Sequence, residues 1–204
     1  MFHSYIWDFD GTLFDTYPIM LDGFIQALAD YQINAEPKKI YRLLKEHSSK
    51  AVAETYQLDF AEFTERFHQK EAMDQRQPVV FPEVYDTLKA IIQAGGKNYI
   101  LTHRTVASTK ELLANAGMLE FFEEIVGPEY QFPRKPDPSA INYLVEKYHL
   151  PRESTVMVGD RPMDIDAGKS AGIKTCFYDI DYFLSEISAD FTIHHMSEIL
   201  TLNK

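Results

Sequence analysis

Four short groups of polar residues carry whatever chemistry this chain performs. Near the start, Asp8 and Asp10 stand two apart and are followed by Gly11 and Thr12. Thr102, His103 and Arg104 form a second group, and Lys135 sits in the run RKPDP. Gly159 and Asp160 make the last, with Asp164 four residues on. Acids at i and i+2 on a strand end lean to the same side, and Asp160 adds a third carboxylate if the groups share a crevice. Bare carboxylates at close quarters repel and raise one another's pKa. They coexist around a hard divalent cation, and an oxygen-only set completed by waters suits Mg²⁺. A phosphate would complete that shell, with Lys135 neutralising its remaining charge and the Thr102 hydroxyl donating a hydrogen bond. Together these residues read as a phosphoryl-transfer site. Taken alone, Asp-x-Asp is more often a turn beside a helix cap, Thr102 a helix cap, Lys135 a solvated loop charge, and Asp164 an acid placed against a helix dipole. The linkage among the four groups separates the two readings.

The groups meet only if strands deliver them to one rim. β-rich runs predict strands at Ser4–Trp7, Asn98–Leu101, Glu124–Val126, Thr155–Val158, Thr175–Tyr178 and Phe191–Ile193. Helical spacing lies between several of them: Leu88, Ile91 and Ile92; Thr109, Leu112 and Leu113; Ile141, Leu144, Val145 and Tyr148. Thr105 is placed to N-cap one helix and Gly117 to end it, Gly95 to end the helix before, and Asp137 with Pro138 to open a further one. Strand–helix alternation implies crossover connections and therefore an α/β, doubly wound, mainly parallel Rossmann-like sheet. Ligands bind such sheets beyond the carboxyl ends of the strands, where all four polar groups fall.

One interval breaks the alternation. From about Thr16 to Gln77 only helical stripes are visible: Leu21, Phe24, Ile25 and Leu28; Ile40, Leu43 and Leu44; Phe60, Phe63 and Phe67. Asp59 with Glu62 makes a capping box for the last. The expected organisation is an α/β core over 1–15 and 78–204 with an all-helical insert over 16–77. Asp15 and Thr16 are expected to cap the first insert helix and to serve as part of a hinge. His47, Ser48, Ser49 and Lys50 form a polar cluster between two stripes, which the residues alone read as a solvated interhelical loop. His194 and His195 read as structural.

With 204 residues, the chain fits one domain of ~100–200 residues or a core with a modest insert. The formal net charge of −11 argues against a nucleic-acid partner, which needs clustered Lys and Arg. A single cysteine, Cys176, excludes an internal disulfide framework. No stretch reaches the roughly 18 apolar residues of a membrane span, and the start shows no signal-peptide ramp. The expectation is a cytoplasmic protein, a monomer or weak homodimer, binding a small phosphorylated metabolite.

The run DFDGTLFDT over Asp8–Thr16, the ILT ending at Thr102, RKPDP around Lys135 and VGDRPMD with Asp160 and Asp164 together resemble the haloacid dehalogenase-like superfamily. The resemblance spans nearly the whole chain, in order and spacing. An insert between the first two motifs resembles the helical cap of the subfamily that includes phosphoglycolate phosphatase and β-phosphoglucomutase. This resemblance implies Asp8 as nucleophile through an aspartyl-phosphate. Asp10 would be the acid that protonates the leaving alcohol and later the base that activates water. Gly11, Thr102, His103 and Lys135 would bind phosphate, together with His47, Ser49 and Lys50 from the cap. Mg²⁺ would be held by Asp8, the Asp10 carbonyl and Asp160, with Asp164 behind them through water. His103 replaces a common asparagine and Arg161 a common small hydroxyl residue. The implied activity is phosphomonoester hydrolysis. A sugar phosphomutase using the same intermediate is one alternative. A receiver-like phosphoacceptor module is another, opposed by the acceptor's position on the first strand and by the acid two residues beyond it.

Overall fold

In the computed structural model, residues 2–184 and 187–202 are described. They form two compact units, Met1–Phe14 with Val80–Lys204, and Asp15–Val79. These divisions fall within two residues of the expected 15/16 and 77/78 crossings.

The first unit begins with β1 (Ser4–Trp7), buried along its length. The two-residue strands β2 (Phe14–Asp15) and β3 (Val79–Val80) mark where the chain leaves and re-enters this unit. Between those crossings lie α1 (Tyr17–Asp30), α2 (Pro37–Glu46), α3 (Ser49–Thr55) and α4 (Phe60–Met73). Alternation then resumes with α5 (Val84–Gln93), β4 (Lys97–Leu101), α6 (Val106–Asn115), β5 (Phe122–Val126) and α7 (Ser139–Tyr148). It ends with β6 (Thr155–Gly159), α8 (Pro162–Ser170), β7 (Lys174–Tyr178) and β8 (Phe191–Ile193).

The sheet has six strands in the order β5-β4-β1-β6-β7-β8, and every pairing is parallel. Because β1 is central, successive strands were added first on one side and then on the other, which opens a crevice at its carboxyl end. Alternate residues of β1 face opposite layers. Tyr5 and Trp7 join Val84, Leu88 and Ile91 of α5 on one face, whereas Ile6 joins Ile141, Leu144 and Val145 of α7 on the other. Burial on both faces explains why the strands read as apolar runs rather than as alternating ones. The Trp7 indole keeps its polar edge satisfied, its Nε1 donating to Asn98 Oδ1 at 2.9 Å.

Most local signals hold. Thr105 accepts from the Ser108 N–H, and Gly95 and Gly117 follow their helices at φ +83° and +67°. α7 starts one residue later than expected: Pro138 takes the N-cap position, and Asp137 accepts from the Ser139 N–H as an Asx turn.

In the helical unit, Phe24 of α1 stacks on Phe67 of α4 with centroids 4.1 Å apart, over a core that includes Leu28, Ile40, Leu44, Val52 and Phe63. Asp59 caps α4 by accepting from the Glu62 N–H. Thr16 occupies the N-cap position of α1, yet its side chain makes no capping bond, and its hydroxyl contacts Met20 Sδ instead. The expected polar loop at His47–Lys50 is also corrected. Ser48 N-caps α3, Ser49 opens it, and Lys50 pairs with Glu54 one turn later. His47 ends α2. Lys45 in the last turn of α2 is buried, its ammonium 5.0 Å from the Tyr17 ring centroid.

Candidate active site

Register brings the polar groups to one rim. Trp7 pairs with Ile100 of β4 and with Val158 of β6, so all three strands run out at the same level. Asp8 continues the ladder by donating its N–H to the Val158 carbonyl. Thr102 does the same toward Val126. The side chains that follow these ends therefore converge.

Asp8, Asp160 and Asp164 are all buried, and one carboxylate oxygen from each lies within 4.8 Å of the other two. The Lys135 ammonium, 1% exposed, sits 2.6 Å from Asp8 Oδ1 and 2.6 Å from Asp164 Oδ1, and donates also to the Leu101 carbonyl. Each charge is too costly to bury alone, and the lysine offsets two of the three carboxylates. Burial opposes the charge on Lys135, but Asp164 and Asp8 outweigh it and hold the ammonium above its ordinary value. Asp8 is pushed up to about 7 by burial, reinforced by Asp164 and opposed by Lys135 and Arg161. Its Oδ2 is buried with no hydrogen-bond partner, and the Arg161 guanidinium stands 3.7 Å away. The site thus retains an excess of oxygen donors beyond what its cations satisfy.

The backbone is shaped to allow this crowding. β6 ends on Gly159 because a Cβ there would lie 2.3 Å from the Asp164 Cβ. Asp164 folds back over the strand end and accepts the Arg161 N–H through Oδ2, so it caps α8 as well as facing Lys135. Thr12 donates to Asp160 Oδ1 at 3.2 Å.

Asp10 lies at the edge of the cluster. Its carboxylate does not join the other three but pairs with Arg104, whose Nε and Nη2 both reach Oδ1 at 2.9 Å. Gly11 holds φ +83°, and its N–H donates to the Phe14 carbonyl. Its amide is committed to the turn, contrary to the expected phosphate contact. Thr102 is buried and accepts the Arg104 N–H, which leaves its own hydroxyl proton to donate. His103 departs from expectation as well. Its ring nitrogens meet the Arg134 guanidinium and the Lys135 N–H. Burial, then the charges of Lys135, Arg134 and Arg161, keep it neutral well below its usual pKa. It braces the lysine segment rather than offering a positive charge. His194 Nδ1 contacts the Asp179 carbonyl, as a structural histidine does.

The structure therefore brings Asp8, Asp160, Asp164, Lys135 and Thr102 together and sets Asp10 beside them. His47, Ser49 and Lys50 belong to the helical unit. Three residues named with the polar groups had been given no role by the sequence reading: Arg104 on Asp10, Thr12 on Asp160 and Gly159 beneath Asp164. The glycine had a local signal, since a strand ending Gly-Asp with an acid one turn later suggests a close approach.

Residues 5–178 match the haloacid dehalogenase-like hydrolase family. Phosphoglycolate phosphatase of Vibrio parahaemolyticus is 28% identical over 212 residues, covering 95% of this chain and 92% of that protein. The Vibrio cholerae phosphoglycolate phosphatase is 31% identical over 185 residues, covering 81% and 79%. A solved hydrolase structure from Streptococcus pneumoniae has a TM-score of 0.63 at 35% identity, covering 87% of this chain and 93% of its own.

Proposed function

Because the chain belongs to the haloacid dehalogenase-like hydrolase family, we propose that it is a Mg²⁺-dependent phosphomonoesterase working through an aspartyl-phosphate on Asp8. The observation that carries this reading is the Lys135 ammonium held between Asp8 and Asp164 with Asp160 alongside, all buried at the carboxyl rim of the sheet.

The donor set fits a hard divalent cation. It is all oxygen, it is crowded beyond what Lys135 offsets, and Asp8 Oδ2 is buried without a hydrogen bond. Asp8, the Asp10 backbone carbonyl and Asp160 would hold the ion, with Asp164 behind them through water. When bound, Mg²⁺ supplies positive charge that offsets the phosphoryl oxygens and keeps Asp8 ionised.

The protein's own groups do the rest. Asp8 attacks phosphorus, the ester P–O bond breaks, and its electron pair goes to the leaving oxygen, which takes a proton from Asp10. Thr102 and Lys135 hold the phosphoryl oxygens. Asp10, now a carboxylate, takes a proton from water as that water attacks phosphorus. The bond to Asp8 then breaks, releasing phosphate.

The similarity to phosphoglycolate phosphatases makes 2-phosphoglycolate the first substrate to test. We place the enzyme in the cytoplasm, as a monomer or weak homodimer. No described helix is long and apolar enough to cross a membrane. The decisive experiment is a phosphometabolite panel assayed with and without Mg²⁺, alongside Asp8→Asn. Phosphate release that needs Mg²⁺ and vanishes in the variant is expected, with the variant still folded. Turnover of p-nitrophenyl phosphate by Asp8→Asn would remove Asp8 as nucleophile. Conversion of a hexose 1-phosphate to its 6-phosphate without free phosphate would replace hydrolysis by isomerisation.

A further inference from the structure

Arg104 is tied down at several points. Its N–H donates to Thr102 Oγ1 at 3.0 Å, and its Nη1 reaches Ser108 Oγ at 3.2 Å on the first turn of α6. From that anchorage Nε and Nη2 both reach one oxygen of Asp10, Oδ1, at 2.9 Å. Both side chains are largely covered, 16% and 15% exposed, so this is not a solvated surface pair. Among the described residues, no hydrogen bond engages Asp10 Oδ2.

We propose that Arg104 is the positioning residue for the acid–base carboxyl, clamping Asp10 through Oδ1 so that Oδ2 is the oxygen that gives and takes the proton. A free aspartate samples rotamers and presents either oxygen. Fixing one oxygen with two charge-assisted donors removes that freedom before the substrate arrives. Arg104 thus acts on leaving-group protonation and not on phosphate binding. The inference rests on Asp10 serving as the acid in the mechanism above.

The test uses the leaving group. The ratio kcat/KM reports steps through the first P–O cleavage. That step needs a proton only when the departing oxygen is a poor leaving group. For an alkyl phosphate, Arg104→Ala is expected to lower kcat/KM by about 10²-fold, within the range of general acid catalysis. For 2,4-dinitrophenyl phosphate, whose phenolate leaves unprotonated, kcat/KM should stay within about threefold. Arg104→Lys, which restores a point charge without the paired donors, should recover part of the alkyl rate. Asp10→Asn is the control and should show the same split. Equal losses on both substrates with weaker competitive inhibition by inorganic phosphate would mean that Arg104 holds phosphate or fold, and the proposal falls alone. If Asp10→Asn itself shows no split, Asp10 is not the acid, and the proposal falls together with that reading.

Discussion

Replacing Lys135 by methionine keeps an unbranched side chain, one atom shorter, and removes the one charge that Asp8 and Asp164 share. The Lys135 side chain is 1% exposed and its ammonium lies 2.6 Å from an oxygen of each acid. Removing one partner of a buried ion pair typically costs about 3–5 kcal/mol, because the remaining charge is left uncompensated. Arg161 at 3.7 Å recovers only part of this for Asp8. The cost must depend on pH. An acid whose folded pKa is raised binds more protons folded than unfolded, so stability is full below the unfolded value and falls as pH rises to the folded one. Asp8 already lies at about 7, chiefly through burial and then Asp164, against 3.8 for the free group. Wild type without metal therefore loses stability between about pH 4 and pH 7, and removing the lysine deepens the loss and carries it higher. Guanidinium unfolding in EDTA should show Lys135→Met about 3–5 kcal/mol below wild type near pH 8 and within about 1 kcal/mol near pH 5. Saturating Mg²⁺ should restore about 2–3 kcal/mol at the higher pH, the linkage expected near 100-fold above Kd. A variant as stable as wild type near pH 8, or equally weakened at both values, would refute the argument that Lys135 offsets buried carboxylates.

Two further substitutions probe the backbone and the metal's surroundings. Gly159→Ala puts a Cβ 2.3 Å from the Asp164 Cβ, so Asp164 must move away from Lys135 and from the Arg161 N–H it caps. About 1–3 kcal/mol of stability and on the order of 10²-fold in kcat/KM should be lost, and an unchanged unfolding midpoint would contradict the close approach. Thr12→Val removes the 3.2 Å bond to Asp160 Oδ1. The Mg²⁺ concentration for half-maximal activity should rise about tenfold while the unfolding midpoint holds, and an unaltered Mg²⁺ requirement would place Asp160 outside the metal's reach.

What could be read from the residues beforehand follows from how far each interaction reaches along the chain. Strand runs such as Ser4–Trp7, the Thr105 cap and the positive-φ glycines after α5 and α6 rest on neighbours a few positions away, so the sequence displays them directly. The rim of Asp8, Lys135 and Asp160 was legible for a different reason. Parallel pairing leaves little choice of where a strand's carboxyl end falls, and acids that follow such ends are delivered together. α3 was missed because its seven residues carry only one apolar stretch, Ala51–Ala53, too short to show a helical period. Its Ser48 cap was there to be seen. Arg104 and Asp10 lie 94 positions apart, and a long flexible side chain chooses among nearby carboxylates by geometry alone. The same applies to His103, whose aromatic ring could have faced solvent, phosphate or the lysine segment. Backbone order fixes where a residue stands on the rim, whereas the aim of a long side chain is decided by which neighbours are already buried there. That is why the rim carboxylates could be placed from their positions after strand ends while the groups that orient them could not.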